Sequence, residues 1–411
     1  MSRTRSRIAV GLASAFTSLA LIAPLPVRAE PAVPHADWVG SWHAAMTEPA
    51  GSGPSAEGFT DTTLRQVAHL SVGGDSVRVR LSNAYGETPL TVGSVTVAPR
   101  SDDAAGTPDV DADALTPVTF GGETSVTIPA GADWISDPVD LTVRDDSDLV
   151  VSMYLPGPTG PATFHSQGYA TSFTAPGDAT TDPGRAFSKL DASRYFLTGV
   201  DVTTRAKGSV VFFGDSITDG DVSTVDANLR YPDQVADRLL ERPDPLRCGV
   251  LNSGISGNRL LTDAGSWGDS ALSRFDRDVL SRPGVRSVVL LEGINDIGSS
   301  QGAVEPEQLI GIYRQFIARA HDAGIKVIGA TLTPFEGADY YTEAGEADRQ
   351  AVNEWIRTSG EFDAVVDFDA AVRDPEHPTR FLPAYDVGDH LHPNDAGFGA
   401  MAAAIDLRTI C

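Results

Sequence analysis

The sequence predicts an antiparallel β-sandwich followed by a three-layer α/β/α domain, and three observations carry that prediction. Residues 30–205 are rich in Thr, Val, Gly, Pro and Asp, and run in short alternating stretches between turn clusters. From residue 208 onward, brief apolar runs alternate with amphipathic stretches of helical period. The chain has 411 residues, enough for two domains with cores of their own.

The N-terminus comes first. Arg3, Arg5 and Arg7 precede an apolar run from Ile8 to about Pro26, and Val27 and Ala29 put small residues at the −3 and −1 positions of a cleavage site. This is the form of a secretory signal peptide over residues 1–29, and it predicts a secreted, extracellular protein. A membrane-spanning helix is the weaker reading, because Pro24 and Pro26 interrupt a run already short for a bilayer. No later segment is apolar enough to span, so no membrane anchor is expected.

In residues 30–205, the stretch 76–81 alternates with the period of two of a half-buried strand. Residues 90–98, 124–128, 138–143 and 149–155 read the same way, separated by turn clusters at 72–75 and 156–158. The pattern predicts a jelly-roll-like sandwich without a helix of consequence. Trp38 and Trp42 read as core positions rather than as a glycan platform. The boundary falls near residues 203–208, at Lys207 and Gly208.

In the second half, residues 210–213, 249–251, 287–291, 325–330 and 364–368 are apolar runs typical of buried parallel strands. Helical patterns lie between them, at 231–240 and at 306–323, the latter ending at Gly324. Pro393 can open a last helix reaching about residue 405. Five βα units imply a parallel sheet covered on both faces. In the flavodoxin-like order 2-1-3-4-5, the second and third strands flank the first.

Four short motifs then fall at the carboxyl ends of these strands, where open α/β sheets bind ligands. They are Gly214-Asp215-Ser216, Gly257 in the run 252–258, Gly293-Ile294-Asn295-Asp296, and Asp389-His390-Leu391-His392. Alone, Ser216 is one serine among many, Gly257 a turn residue and Asn295 a loop cap. Together they supply a nucleophile, two oxyanion donors and an Asp–His pair, which acyl transfer through a covalent ester requires. Gly214 permits the tight turn before Ser216, and Asp215 and Asp296 read as structural braces. His392 takes the serine proton, and Asp389, three residues earlier on the same turn, holds its ring. No carboxylate lies three residues before His390, where the residue is Val387.

Other chemistries fit poorly. A metal site on His390 and His392 lacks a third ligand nearby. Asp219 to Ser223 starts like a calcium loop, but Thr224 stands where glycine is needed and Arg230 where the closing glutamate would be. No phosphate-binding glycine loop is present, so no cofactor is expected. Trp267, Tyr231, Phe335, Tyr340 and Tyr341 are placed on loops that could rim the site, with packing as their commoner role.

The four blocks resemble the SGNH, or GDSL, hydrolase superfamily, over about residues 208–411. The resemblance implies Ser216 as nucleophile, the Ser216 and Gly257 backbone N–H groups and Asn295 as the oxyanion hole, and His392 as base oriented by Asp389. Ile217 stands where the usual tetrad ends in Leu, and Gly257 aligns better than Gly254 with the second block. The β-rich half looks, more loosely, like that of secreted two-domain esterases of the acetylxylan esterase group. The resemblance thus implies a secreted serine esterase that removes short acyl groups from carbohydrate. A lipase or arylesterase is the alternative, and a glycan-binding protein with an inactive hydrolase domain is the alternative of another class.

Charge and cysteines add limits. Removing residues 1–29 takes four Arg and no acid, leaving 27 basic against 56 acidic residues, a net charge of −29. Such a chain repels nucleic acid and anionic lipid, so the expected partner is a small-molecule or polysaccharide ester. Cys248 and Cys411 are the only cysteines and allow one intramolecular bridge in an oxidising compartment, unless the terminus frays.

Overall fold

Along Val77–Ser82 the side chains alternate, with Val77, Val79 and Leu81 fully buried. Arg78 and Arg80 face the other way, and both donate to one carboxylate oxygen of Asp201 on the neighbouring strand, at 2.7 and 2.8 Å. Such period-two strands build the first half of the chain. A computed structural model describes residues 38–101, 105–301 and 303–411, which form one compact unit. The expected signal peptide, residues 1–29, lies outside the described residues.

The β-rich half is built on two large antiparallel sheets around a Val- and Leu-rich core, with two two-stranded ribbons beside them. One has the order Trp38–His43, Leu197–Thr203, Val77–Ser82, Asp133–Ile135. The other runs Ser188–Asp191, Ser172–Pro176, Thr62–Leu70, Ser147–Leu155, Ser94–Pro99, Thr116–Val118. Two expectations need correction. Residues 138–143 form no strand and make only isolated bridges at Val139 and Val143. Residues 90–98 split at Gly93, so that Leu90–Val92 pairs with Val126–Ile128 outside both large sheets.

The second half holds five parallel strands in the order 2-1-3-4-5: Ser209–Gly214 lies between Gly249–Gly254 and Val285–Leu291, followed by Lys326–Ala330 and Ala364–Val366. The fifth strand ends before the expected residue 368, because the Asp367 side chain caps the helix Phe368–Val372. Helix Pro306–Asp322 matches the periodic stretch that predicted it, whereas the last helix, Asp395–Ala404, is capped by Asn394, so Pro393 precedes the cap rather than opening the helix. Cys248 and Cys411 are bridged, with Cα atoms 6.0 Å apart, tying the last residue to the start of the second strand. Among the described residues, no helix is long and apolar enough to cross a membrane.

The halves pack closely. Strand Trp38–His43 lies against strand Gly249–Gly254, and glycines make the approach possible. A Cβ on Gly249 would sit 2.0 Å from the Gly40 carbonyl, and one on Gly40 would sit 2.8 Å from Leu251. Hydrogen bonds cross the seam as well: Gly40 N donates to Ser209 Oγ at 3.0 Å, and Val250 N to Ser71 Oγ at 2.8 Å.

Candidate active site

The strand Ser209–Gly214 delivers Ser216 to the first position of the short helix Ser216–Asp219. Asp215 caps that helix, its carboxylate accepting from Ile217 N at 3.0 Å, so the expected brace is there. Gly214 is required for space, because a Cβ would lie 2.2 Å from both the Leu291 carbonyl and Thr218 Oγ1. Ser216 is buried except for its outward edge, at 5% exposure.

Its hydroxyl meets His392 from the far end of the chain. His392 Nε2 lies 2.8 Å from Ser216 Oγ, and Nδ1 lies 2.6 Å from Asp389 Oδ2. The other oxygen of Asp389 accepts from the backbone N–H groups of Leu391 and His392, both at 2.9 Å. This turn fixes carboxylate and ring together. Burial opposes ionisation of Asp389, but the bonds from the His392 ring and these two amides outweigh it and hold the carboxyl at about 2. For His392, burial again works against the charged form, while the bond and charge of Asp389, then Asp221 and Asp215, raise it above its usual value. His390 points elsewhere and pairs with Asp386 at 2.6 Å.

Around the serine stand three donors with hydrogen to offer. The Ser216 and Gly257 backbone N–H groups meet no acceptor among the described residues. Asn295 Nδ2 donates one hydrogen to the Asn258 carbonyl at 3.0 Å and keeps the other, while its Oδ1 accepts from Tyr340 at 3.3 Å. The three loops are cross-linked: Asp219, in the Ser216 helix, accepts from Ser256 N at 3.0 Å, and Asp296 accepts from Leu260 N and Leu261 N at 2.8 and 3.1 Å. Gly257 takes a left-handed φ of 78°, and the Trp267 ring lies so close that a Cβ would meet it at 1.5 Å. Of the five candidate rim aromatics, Tyr231 and Phe335 are fully buried and Trp267 is exposed. Tyr231 opens the helix Tyr231–Leu240, so it is a packing residue rather than a loop residue.

Beneath the serine lies a layer of charge that the sequence reading did not pick out. Arg274, fully buried, donates to the carbonyls of Gly214 and Ser253, both at 2.9 Å, and to Asn258 Oδ1 at 2.8 Å. It thus backs the turn before Ser216 and the Gly257 loop together. Glu292 is buried nearby, 3.8 Å from Arg274, and neither of its carboxylate oxygens has a hydrogen-bond partner among the described residues. Burial first, then the charge of Asp215, pushes Glu292 well above the carboxylate range. Burial likewise pushes Asp215 up to about 7 and Asp296 to about 6. Asn258 lay inside the second block and Asp219 three residues after Ser216, but nothing in the pattern marks Arg274 or Glu292.

A parallel sheet with a serine, a histidine and a carboxylate in line at its carboxyl edge defines a hydrolase-type α/β domain. Residues 212–400 match the GDSL-like lipase/acylhydrolase family. No curated protein matches the chain. Among solved structures, an acetyl xylan esterase from Geobacillus stearothermophilus is similar at 23% identity, covering 50% of this chain and 95% of that one with a TM-score of 0.39. A GDSL-like lipase from Bacteroides thetaiotaomicron aligns at 24% identity over 49% of this chain and 87% of its own, TM-score 0.37. A lipolytic G-D-S-L family protein from Veillonella parvula aligns at 18% identity over 48% and 94%, TM-score 0.35.

Proposed function

We propose that the protein is a secreted serine esterase working through an acyl-enzyme, with Ser216, His392 and Asp389 as its catalytic residues. The observation that carries this reading is the unbroken hydrogen-bond line from Asp389 through His392 to Ser216 Oγ. His392 Nε2 accepts the Ser216 proton as Oγ attacks the ester carbonyl carbon. The carbonyl oxygen, now negative, takes hydrogen bonds from Ser216 N–H, Gly257 N–H and Asn295 Nδ2. His392 returns the proton to the leaving alcohol, and the Ser216 ester remains. Water then attacks this ester with His392 again as base, and release of the acid restores Ser216. No cofactor enters any step.

We further propose residues 1–29 as a leader, 30–205 as the β-sandwich and 206–411 as the hydrolase portion. Acetyl groups on carbohydrate are the favoured substrate, from the family resemblance and the leader. A second reading has support of its own: Val222 and Val387 are exposed beside Asp221 and His392. Apolar surface at the base suits a longer acyl chain or an aryl ester, as a lipase or arylesterase would bind. Hydrolysis of 4-nitrophenyl acetate by wild type and Ser216→Ala tests the common core. The expected loss is about 10³-fold or more in a folded variant, and equal rates would refute the assignment. Octanoyl against acetyl nitrophenyl esters then separates the two substrates.

A further inference from the structure

One short segment of the β-rich half reaches both sides of the catalytic apparatus. His165 is buried, at 4% exposure, and its Nε2 lies 3.0 Å from Asp219 Oδ1, at the end of the Ser216 helix. Nδ1 faces the Ala45 carbonyl at 2.8 Å, and Nε2 also lies 3.2 Å from the Gln167 carbonyl. The second oxygen of Asp219 accepts from Ser256 N at 3.0 Å, one residue before Gly257. Four residues past His165, the Tyr169 hydroxyl donates to Asp221 Oδ1 and accepts from Val222 N at 2.9 Å. Asp221 Oδ2 lies 3.9 Å from His392 Nε2, just beyond hydrogen-bond reach.

Backbone geometry supports a constraint at this point. Val222 is β-branched yet has a φ of 66°, and Asp226 and Asn228 are left-handed too, at 62° and 53°. Strain of this kind persists where surrounding contacts impose it, and it clusters at functional sites. The contacts come from the sandwich: Tyr169 holds Val222, and Asp226 accepts from Thr171 N and Oγ1 at 2.7 and 2.6 Å.

We propose that the β-rich half is a working part of the active site, with His165 positioning the oxyanion loop through Asp219, and Tyr169 positioning the base through Asp221. This rests on the esterase reading above. Asp219 carries the bond from His165 onto the peptide beside Gly257, so the N–H that faces the oxyanion is fixed from outside the α/β layer. Tyr169 keeps Asp221 near enough to favour the imidazolium formed during catalysis, but outside the contact that would draw Nε2 from Ser216.

The test uses the full chain and four variants: His165→Leu, which removes both ring nitrogens; His165→Gln, which restores a polar group there; Tyr169→Phe; and Val200→Ala, a control in the sandwich core. Nitrophenyl acetate kinetics, phenylboronic acid affinity, labelling by a fluorophosphonate and deuterium exchange over residues 254–258 are measured below the melting temperatures. For His165→Leu, kcat is expected to fall about tenfold or more with KM within twofold. Boronate binding should weaken in step, exchange over 254–258 should quicken, and His165→Gln should recover part of each effect. Tyr169→Phe frees Asp221 to approach a ring that also faces Asp389 and Asp215, moving the acidic midpoint of kcat/KM upward. Val200→Ala should leave kcat within twofold.

Unchanged kcat and exchange in folded His165→Leu overturn the proposal, as does an equal loss in Val200→Ala. If neither His165 variant folds, Tyr169→Phe decides by itself, and an unmoved midpoint counts against the idea. A wild type that neither hydrolyses the ester nor takes the label refutes the esterase reading alone, since the exchange measurement still reads the link from His165 to Ser256.

Discussion

Asn295 donates its side-chain amide to the carbonyl of Asn258, the residue after Gly257, at 3.0 Å. One of the two amide hydrogens thus sets the orientation, and the other is aimed by it. Truncation in Asn295→Ala removes a donor that matters most when charge has developed on the ester oxygen. We expect kcat to fall about 10²–10³-fold with KM little changed, as found for single oxyanion donors. Steady-state kinetics on 4-nitrophenyl acetate check this. A loss confined to KM would place Asn295 in ground-state binding instead.

The pH profile follows from the Asp389–His392 bond. In the proposed mechanism His392 acts as base only when neutral, and its partner raises it above the usual histidine value. Activity should therefore be low in acid and rise with pH, with the midpoint of kcat/KM above 6.5. Asp389→Asn removes the charge and the ring's orientation. The midpoint should move down, while kcat drops by about 10⁴, the figure for the equivalent change in a serine protease triad. An unmoved midpoint would show that Asp389 does not control the base.

Glu292 makes the opposite kind of prediction. Its folded value is raised, so the native state binds a proton that the unfolded chain gives up. Its stabilising contribution is complete below the ordinary carboxylate value and is lost as pH rises through the folded one, with a slope near 1.4 kcal/mol per pH unit. Glu292→Gln keeps the shape of the protonated acid without the ionisation. Its melting temperature should match wild type near pH 4 and exceed it progressively at higher pH. A difference that does not grow with pH would sink the argument.

The Cys248–Cys411 bridge closes a loop with a sequence separation of 163. On the chain-entropy model it stabilises by at most ~5 kcal/mol, and native bridges commonly deliver 2–5. Cys411→Ser should lower the melting temperature while leaving kcat nearly unchanged, because neither cysteine touches the serine or its partners. Thermal unfolding in parallel with kinetics separates the two effects.

Much of the α/β half was legible because its signals are local. Apolar runs gave the parallel strands, and the loops after them carried Ser216, Gly257, Asn295 and His392. The sandwich was less legible where polar side chains are buried. Thr62–Leu70, the central strand of the larger sheet, went unread because Arg65 and Gln66 break its alternation, although both are fully buried. Arg65 is satisfied by Ser152 Oγ and the carbonyls of Pro108 and Asp182, and Gln66 by both backbone groups of Tyr195. Those partners lie 43 to 129 residues away, beyond any window of sequence pattern. Arg274 and His165 were hidden for the same reason.

The seam at Gly40 and Gly249 bears on how such a chain can change over time. A methyl group on Gly249 would run into the Gly40 carbonyl, whereas one on Gly40 would press on the end of the Leu251 side chain. A recombination event that brought in a new C-terminal half would have to bring a matching glycine and a matching edge strand with it. A side chain at Gly249 should therefore be accepted only together with a change in the strand that faces it.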